Sequence, residues 1–167
     1  LSYVFVYTPL KVVTPLSLVI GAVPGAMPPL MGWTAATGQL DGAGLLLFGI
    51  LFTWQIPHFI AISIFRQDDY DAAGVKVLPS VRGMWNAKLQ AVGWSILLLV
   101  TTVMVGTSGG AGAIYLGIAI TAGVLFLAWA IRGLVTQEHV AWAWRLFFGS
   151  LVYLPVIVIA LALDKTF

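Results

Sequence analysis

No cysteine occurs anywhere in the chain. Disulfides, thiolate metal sites and cysteine nucleophiles are therefore excluded. Charge is nearly as scarce. Only 8% of the 167 residues are Asp, Glu, Lys or Arg, against about 25% in an ordinary soluble domain. A soluble chain this poor in charge has no means of covering its surface. The formal net charge of +2 is too small to point to nucleic acid. Strict apolar–polar alternation is missing too, which argues against a membrane β-barrel. No basic stretch with a cleavage site precedes the first apolar run, so no secretory signal peptide is expected.

What is present is mostly hydrocarbon. Hydrophobic residues make up 60% of the chain, and the mean hydropathy is +1.02. A transmembrane helix needs about 20 apolar residues. Five windows qualify, near 15–35, 43–65, 87–106, 113–131 and 144–163. LSYVFVY at 1–7 reads as the tail of a further span, and the chain opens on Leu1 rather than Met. The expected fold is an all-α polytopic membrane bundle with five full transmembrane helices plus the end of a sixth. The chain is expected to be the C-terminal part of one transmembrane domain, 1–167, with its N-terminal part missing.

The few charges fix an orientation. Lys11, Arg66, Lys76, Arg82, Lys88, Arg132 and Arg145 fall in connections that alternate onto one side, and they are seven of the eight basic residues. The positive-inside rule makes that side, with the loop 68–82, cytoplasmic. In a bacterium the membrane is then the inner one. In a mitochondrion the same side would be the matrix.

The stretch 54–79, WQIPHFIAISIFRQDDYDAAGVKVLP, holds most of the chemistry. Asp68, Asp69 and Asp71 stand beside Arg66, Lys76 and Arg82. Carboxylates are hard oxygen ligands suited to Mg²⁺, which binds through one or two of them plus substrate phosphates. Arg and Lys suit the remaining phosphate oxygens. A diphosphate with a lipid tail between the helices fits this description; so does a plain solvated loop. If the helix ran on through this stretch, Gln55, His58, Arg66 and Asp69 would share one stripe, with Asp68 and Asp71 roughly opposite. Trp54, Gln55 and His58 lie at membrane depth, where polar groups usually face the interior. His58 alone fits a metal or heme ligand, a proton carrier, or a link between helices. The first full span carries Pro24, Pro28 and Pro29 with Gly21, Gly25 and Gly32. It should be bent, and either lines a cavity or serves close packing. The segment 72–83 reads as a loop closed off by Gly74 and Pro79. Asn86 and Lys88 begin the third span. The later spans carry no acids, and Tyr153, Pro155, Trp129, Trp142 and Trp144 read as structural or as an interfacial belt.

Four segments together resemble a known family: YTPLK (7–11), TPLSLVIGAVPGAMPPLMGW (14–33), WQIPHF (54–59) and DYDAAGVKVLP (69–79). They are similar to the protoheme IX farnesyltransferases, or heme O synthases, a branch of the UbiA superfamily of intramembrane aromatic prenyltransferases. The resemblance implies a nine-helix enzyme that transfers the farnesyl group of farnesyl diphosphate to a vinyl group of heme b, with Mg²⁺ holding the diphosphate. The superfamily's first Asp motif, of the N-x-x-x-D-x-x-x-D kind, has no counterpart here. Its second usually reads D-x-x-x-D; here no carboxylate pair has that spacing, and Asp69-Tyr70 is the match. The implied metal residues are Asp69 first and Asp68 second. The diphosphate residues are Lys11, Arg66 and Lys76. The heme cavity would involve Trp54, Gln55, His58, Pro24 and Pro28. His58, Asp69 and Arg66 would take the catalytic roles. A heme A synthase is the implied recipient of the product. Rival readings are a UbiA-type enzyme for a quinone or chlorophyll precursor, a transporter, and a non-catalytic assembly subunit.

Overall fold

The computed structural model describes residues 14–164, and every regular element among them is helical. Seven helices follow in order: α1 (Ser17–Gly25), α2 (Met27–Thr37), α3 (Gly42–Phe65), α4 (Gln67–Ala72), α5 (Leu78–Thr107), α6 (Ala113–Val135) and α7 (His139–Leu163). They supply five stretches long and apolar enough to cross a membrane, α1 and α2 together forming the first, Ser17–Thr37. The five expected spans are thus present. The stub at 1–7, Lys11 and Lys165 lie outside the described residues.

The first span bends where its prolines require it. Helix α1 ends at Gly25 and α2 restarts at Met27, with Pro28 in its first turn. Proline has no N–H for the previous turn but is accommodated at a helix start. Gly38 ends α2 with a left-handed cap (φ 70°), a conformation that favours glycine. Asp41 then opens α3, its Oδ1 accepting the Gly44 N–H at 3.0 Å. With 24 residues, α3 is long enough to cross a hydrocarbon core of about 30 Å.

Helix α3 is the centre of the bundle. It packs on α5 and α7, while α6 closes the ring against α5 and α7, and α1 and α2 lie on the outside of α3. Buried Ile56, Ile60, Ala61, Ala87, Ala91, Leu98, Ala119, Ala130, Leu146 and Ile157 fill the ring. The many alanines let backbones approach closely, as packing between membrane helices favours. Polar links cross the same interior. Thr102 gives its proton to the Leu98 carbonyl (2.7 Å), so the Tyr153 hydroxyl donates to Thr102 Oγ1 (2.9 Å). Tyr115 Oη donates to the Thr102 carbonyl at 3.0 Å. Three helices are thereby joined at one threonine. Trp142, read as part of a surface belt, is instead buried, and its indole N–H donates to the Trp129 carbonyl at 3.0 Å.

Two expected boundaries are corrected. The segment 72–83 is a loop only over its first half, because α5 already starts at Leu78. Pro79 opens that helix rather than closing one, since the first turn needs no N–H there. The reorientation comes at Gly83 (φ 80°, ψ 160°), which kinks α5 before the straight span begins. The last span begins at His139 rather than 144.

Lys88 belongs to this architecture. It is 3% exposed, and its ammonium donates to the Thr136 carbonyl at 2.8 Å. Thr136 caps the C-terminus of α6, where unpaired carbonyls and the helix dipole favour a cation. The Trp142 ring lies 5.7 Å from Nζ. Lys88→Ala is expected to lower stability by about 2 kcal/mol, the range for a lost hydrogen bond to a charged group. Thermal unfolding in detergent measures it, and an unchanged midpoint would remove Lys88 from this role.

Candidate active site

Two features surround the stretch that carries the motifs. One is a cleft between α1, α3 and the 70–78 segment. The other is a buried cluster where α3 meets α7.

The cleft has a volume of about 490 Å³. Pro24 and Gly25 of α1 form one wall, and Gln55, Phe59 and Ser63 form the other. Those three lie at intervals of four residues and so share one face of α3. Gln55 ties the walls together, its Nε2 donating to the Ala22 carbonyl at 2.7 Å. Gly25 makes the approach possible, because a Cβ there would lie 2.5 Å from Gln55 Oε1. Tyr70, Val75 and Lys76 close the polar end.

Local chemistry explains that end. Helix α3 stops at Arg66 (φ −113°, ψ 20°) and α4 begins at Gln67. Asp68 and Asp69 occupy the first turn of α4, where carboxylates meet the positive end of the helix dipole. Gly74 (φ 69°) then reverses the chain, with the Val75 N–H bonded to the Tyr70 carbonyl at 2.9 Å. This turn brings Lys76 to the same opening as Tyr70. Arg66 Nη1 donates to Asp69 Oδ2 at 3.1 Å, the one ion pair among the described residues. Both side chains are well exposed, so the pair contributes little to stability and remains available.

The single stripe expected through Gln55, His58, Arg66 and Asp69 is not what forms. The break at Arg66 resets the helical phase, and Gln55 and His58 turn to different neighbours. Gln55 faces α1. Trp54 and His58 face α7, and both engage Ser150. Trp54 Nε1 donates to the Ser150 carbonyl at 2.7 Å. His58 Nδ1 lies 2.7 Å from Ser150 Oγ, and that hydroxyl gives its own proton to the Phe147 carbonyl at 2.6 Å. A hydroxyl has one proton to give, so His58 Nδ1 must donate. Nε2 is left as the acceptor of a neutral ring, without a hydrogen-bond partner among the described residues. The ring stacks on Trp54 (centroids 4.9 Å) and Phe147 (4.7 Å). Beyond them Phe65 stacks on Trp144 at 3.9 Å.

The structure therefore brings Pro24, Gln55 and Lys76 into one cleft, with Arg66, Asp68 and Asp69 on the segment that enters it. It seats Trp54 and His58 in a separate cluster. Pro28 is exposed and does not line the cleft. Ser63 and Ser150 were not singled out from sequence, and Tyr70 was named only as the neighbour of Asp69 in the motif. Ser63 was accessible as the next step of the Gln55–Phe59 stripe; Ser150 had no local signal. Among the described residues, no group of three or more His, Asp or Glu converges on one point. The hard oxygens of Asp68 and Asp69 nevertheless suit Mg²⁺ if substrate phosphates complete the shell.

Residues 1–152 match the model of the UbiA prenyltransferase family. The chain belongs to that family. Among curated UbiA-type relatives, a protein of Sorangium cellulosum named protoheme IX farnesyltransferase is 52% identical over 96% of this chain and 58% of its own length. Its namesake in Myxococcus xanthus is 46% identical over 99% of this chain and 56% of its own. That of Legionella pneumophila is 40% identical over the whole of this chain and 57% of its own. The chain thus spans a little over half the length of these relatives. No solved structure matches it. The chain thus combines membership of a prenyltransferase family with five stretches long and apolar enough to cross a membrane.

Proposed function

We propose that the whole protein is a protoheme IX farnesyltransferase, converting heme b and farnesyl diphosphate to heme O and diphosphate. The observation that carries this reading is the cleft: an apolar slot whose polar end holds Lys76 and Tyr70 beside the Arg66–Asp69 pair. An isoprenoid tail suits the slot and a diphosphate suits the basic end. The choice of heme as acceptor rests on the names of the relatives.

In this reading the C1–O bond of the farnesyl diphosphate breaks and the electron pair leaves with the diphosphate. Arg66 and Lys76, with Lys11 from outside the described residues, hold the departing oxygens through charge-assisted hydrogen bonds. Asp69, with Asp68 second, would hold Mg²⁺, which supplies further charge neutralisation on the diphosphate. The allylic cation is taken up by the vinyl group of heme b, forming the new C–C bond. Water adds to the resulting cation and loses a proton, leaving a hydroxyl group. Gln55 and Pro24 keep the slot narrow and dry until that step. His58 and Trp54 lie outside this cleft in the α3–α7 cluster, and in this reading His58 Nε2 would serve the heme or take the proton of the adding water.

We further read the segment 68–82 as cytoplasmic and the membrane as the bacterial inner membrane, on the basic residues of that side. The gene product would continue upstream with the first Asp motif, and a heme A synthase would receive the product.

With full-length protein, diphosphate release should require both Mg²⁺ and heme b. Release that proceeds without heme, or only with a quinone-ring acceptor, would refute the assignment. Gly25→Ala should lower affinity for farnesyl diphosphate about tenfold, the equivalent of about 1.4 kcal/mol, because its Cβ displaces Gln55. Gly32→Ala should not, since nothing lies within 4 Å of a Cβ there. Equal KM values for the two variants would contradict the placement of the tail.

A further inference from the structure

A second concavity lies on the other side of the bundle, between α6 and α7, with a volume of about 760 Å³. Its floor alternates small and aromatic residues, among them Gly117, Phe126, Trp129, Gly149 and Tyr153. Leu125, Phe148 and Val152 stand along it 57–66% exposed, so it opens outward from the ring.

The end of this groove is built differently from its floor. On α6 the lining residues run 118, 122, 125 and 129, and the next step of that stripe is Arg132. On α7 they run back through 156, 152 and 149, and the next step is Arg145. Both arginines lie against one ring. The Arg132 guanidinium is 5.4 Å and that of Arg145 is 5.8 Å from the Trp129 centroid. Both are exposed, and neither forms an ion pair among the described residues. Glu138, the acid of the α6–α7 connection, pairs with neither. The buried indole N–H of Trp129 also has no acceptor among the described residues. Two cations without an ion-pair partner among the described residues and an aromatic ring thus sit at the mouth of an apolar channel on the outer face of the described helices.

We propose that this groove binds one anionic phospholipid, its phosphate held by Arg132 and Arg145 and an acyl chain lying along the α6–α7 slot. Charge complementarity selects the headgroup: guanidinium groups bind phosphate oxygens as forks, and a zwitterionic lipid brings its own cation. The slot selects a long chain over a free anion. The site is separate from the α1–α3 cleft and does not depend on the reaction proposed there.

The test uses full-length protein in detergent, with phosphatidylglycerol or phosphatidylcholine of identical chains, or glycerol phosphate alone. Thermal unfolding and native mass spectrometry read the binding. Phosphatidylglycerol should raise the midpoint and phosphatidylcholine should not. R132Q/R145Q should weaken phosphatidylglycerol binding by about thirtyfold, as expected for two basic residues at an anionic headgroup. Its midpoint in phosphatidylcholine should be unchanged. Gly117→Leu, at a position with nothing within 4 Å of an added Cβ, should block the slot and lose the effect with both arginines intact. Equal shifts from the two lipids, or a double variant that keeps the preference, would overturn the proposal. So would an equal shift from glycerol phosphate alone. A loss of stability in either variant regardless of lipid would mean that protein covers the groove, and would overturn it too.

Discussion

Asp69→Asn in the full-length protein is expected to lower farnesyl transfer by about a hundred- to a thousandfold, the usual loss when one preorganised electrostatic group is removed from a reacting centre. The change keeps the shape of the side chain and removes its charge. Asp69 is distinct from its neighbours in geometry: it alone of the three aspartates is paired with Arg66, at 3.1 Å, and it stands one residue before Tyr70, which lines the cleft. Losing the carboxylate would remove the proposed Mg²⁺ ligand and also free Arg66 from the ion pair. The apparent Mg²⁺ requirement should therefore rise together with the fall in rate. Asp71→Asn is the control. That residue lies later on α4, away from the first turn, and its loss should change the rate less than threefold, about 0.6 kcal/mol. Folding should be unaffected in both, because the residues are exposed and surface pairs contribute little. If Asp69→Asn and Asp71→Asn behave alike, the ion pair does not mark the functional carboxylate.

The second large effect is expected at His58, where two roles separate cleanly. The ring joins α3 to α7 through Nδ1 and Ser150, and it offers Nε2 to whatever lies beside it. Asparagine places an amide nitrogen near the Nδ1 position and has nothing at Nε2. His58→Asn should therefore keep the Ser150 contact and most of the stability while lowering heme O formation by about a hundredfold or more, the scale of a lost acid–base or positioning group. His58→Ala should lose both. It also leaves a gap between Trp54 and Phe147, which flank the ring at 4.9 and 4.7 Å, so its midpoint should fall as in other buried aromatic truncations. If His58→Asn is fully active, the histidine is a link between helices and nothing more. Ser150→Ala offers an independent check: it releases the ring without touching Nε2, so a partial loss of rate would identify Ser150 as a positioning residue.

The spans were legible because a run of about 20 apolar residues has few other uses. The basic residues stood out because the chain has so few charges, but the structure sets Arg82, Lys88, Arg132 and Arg145 inside helix ends rather than in the connections expected for them. Helix ends were less so. Pro79 reads as a terminator, yet proline at the first turn is harmless, and the reorientation belongs to Gly83, whose φ of 80° has no counterpart in the hydropathy of the segment. The break at Arg66 had no proline or glycine to announce it; the acids that follow favour a new helix N-terminus and shift the phase. The motif WQIPHF was visible as polar residues at membrane depth. What each polar atom does was not, because Trp54 and His58 are answered by Ser150, more than 90 residues away. A serine in an apolar span carries no signal of that kind.

The account rests on heme being the acceptor of the prenyl group. The most direct measurement is the identity of the hemes extracted from cells that lack their own heme O synthase and express the full-length gene, read by liquid chromatography and mass spectrometry. The account predicts a heme carrying a hydroxyethylfarnesyl group, absent when Asp69 is replaced by Asn. Unmodified heme b as the sole heme, with the prenyl group recovered on a quinone precursor, would contradict it.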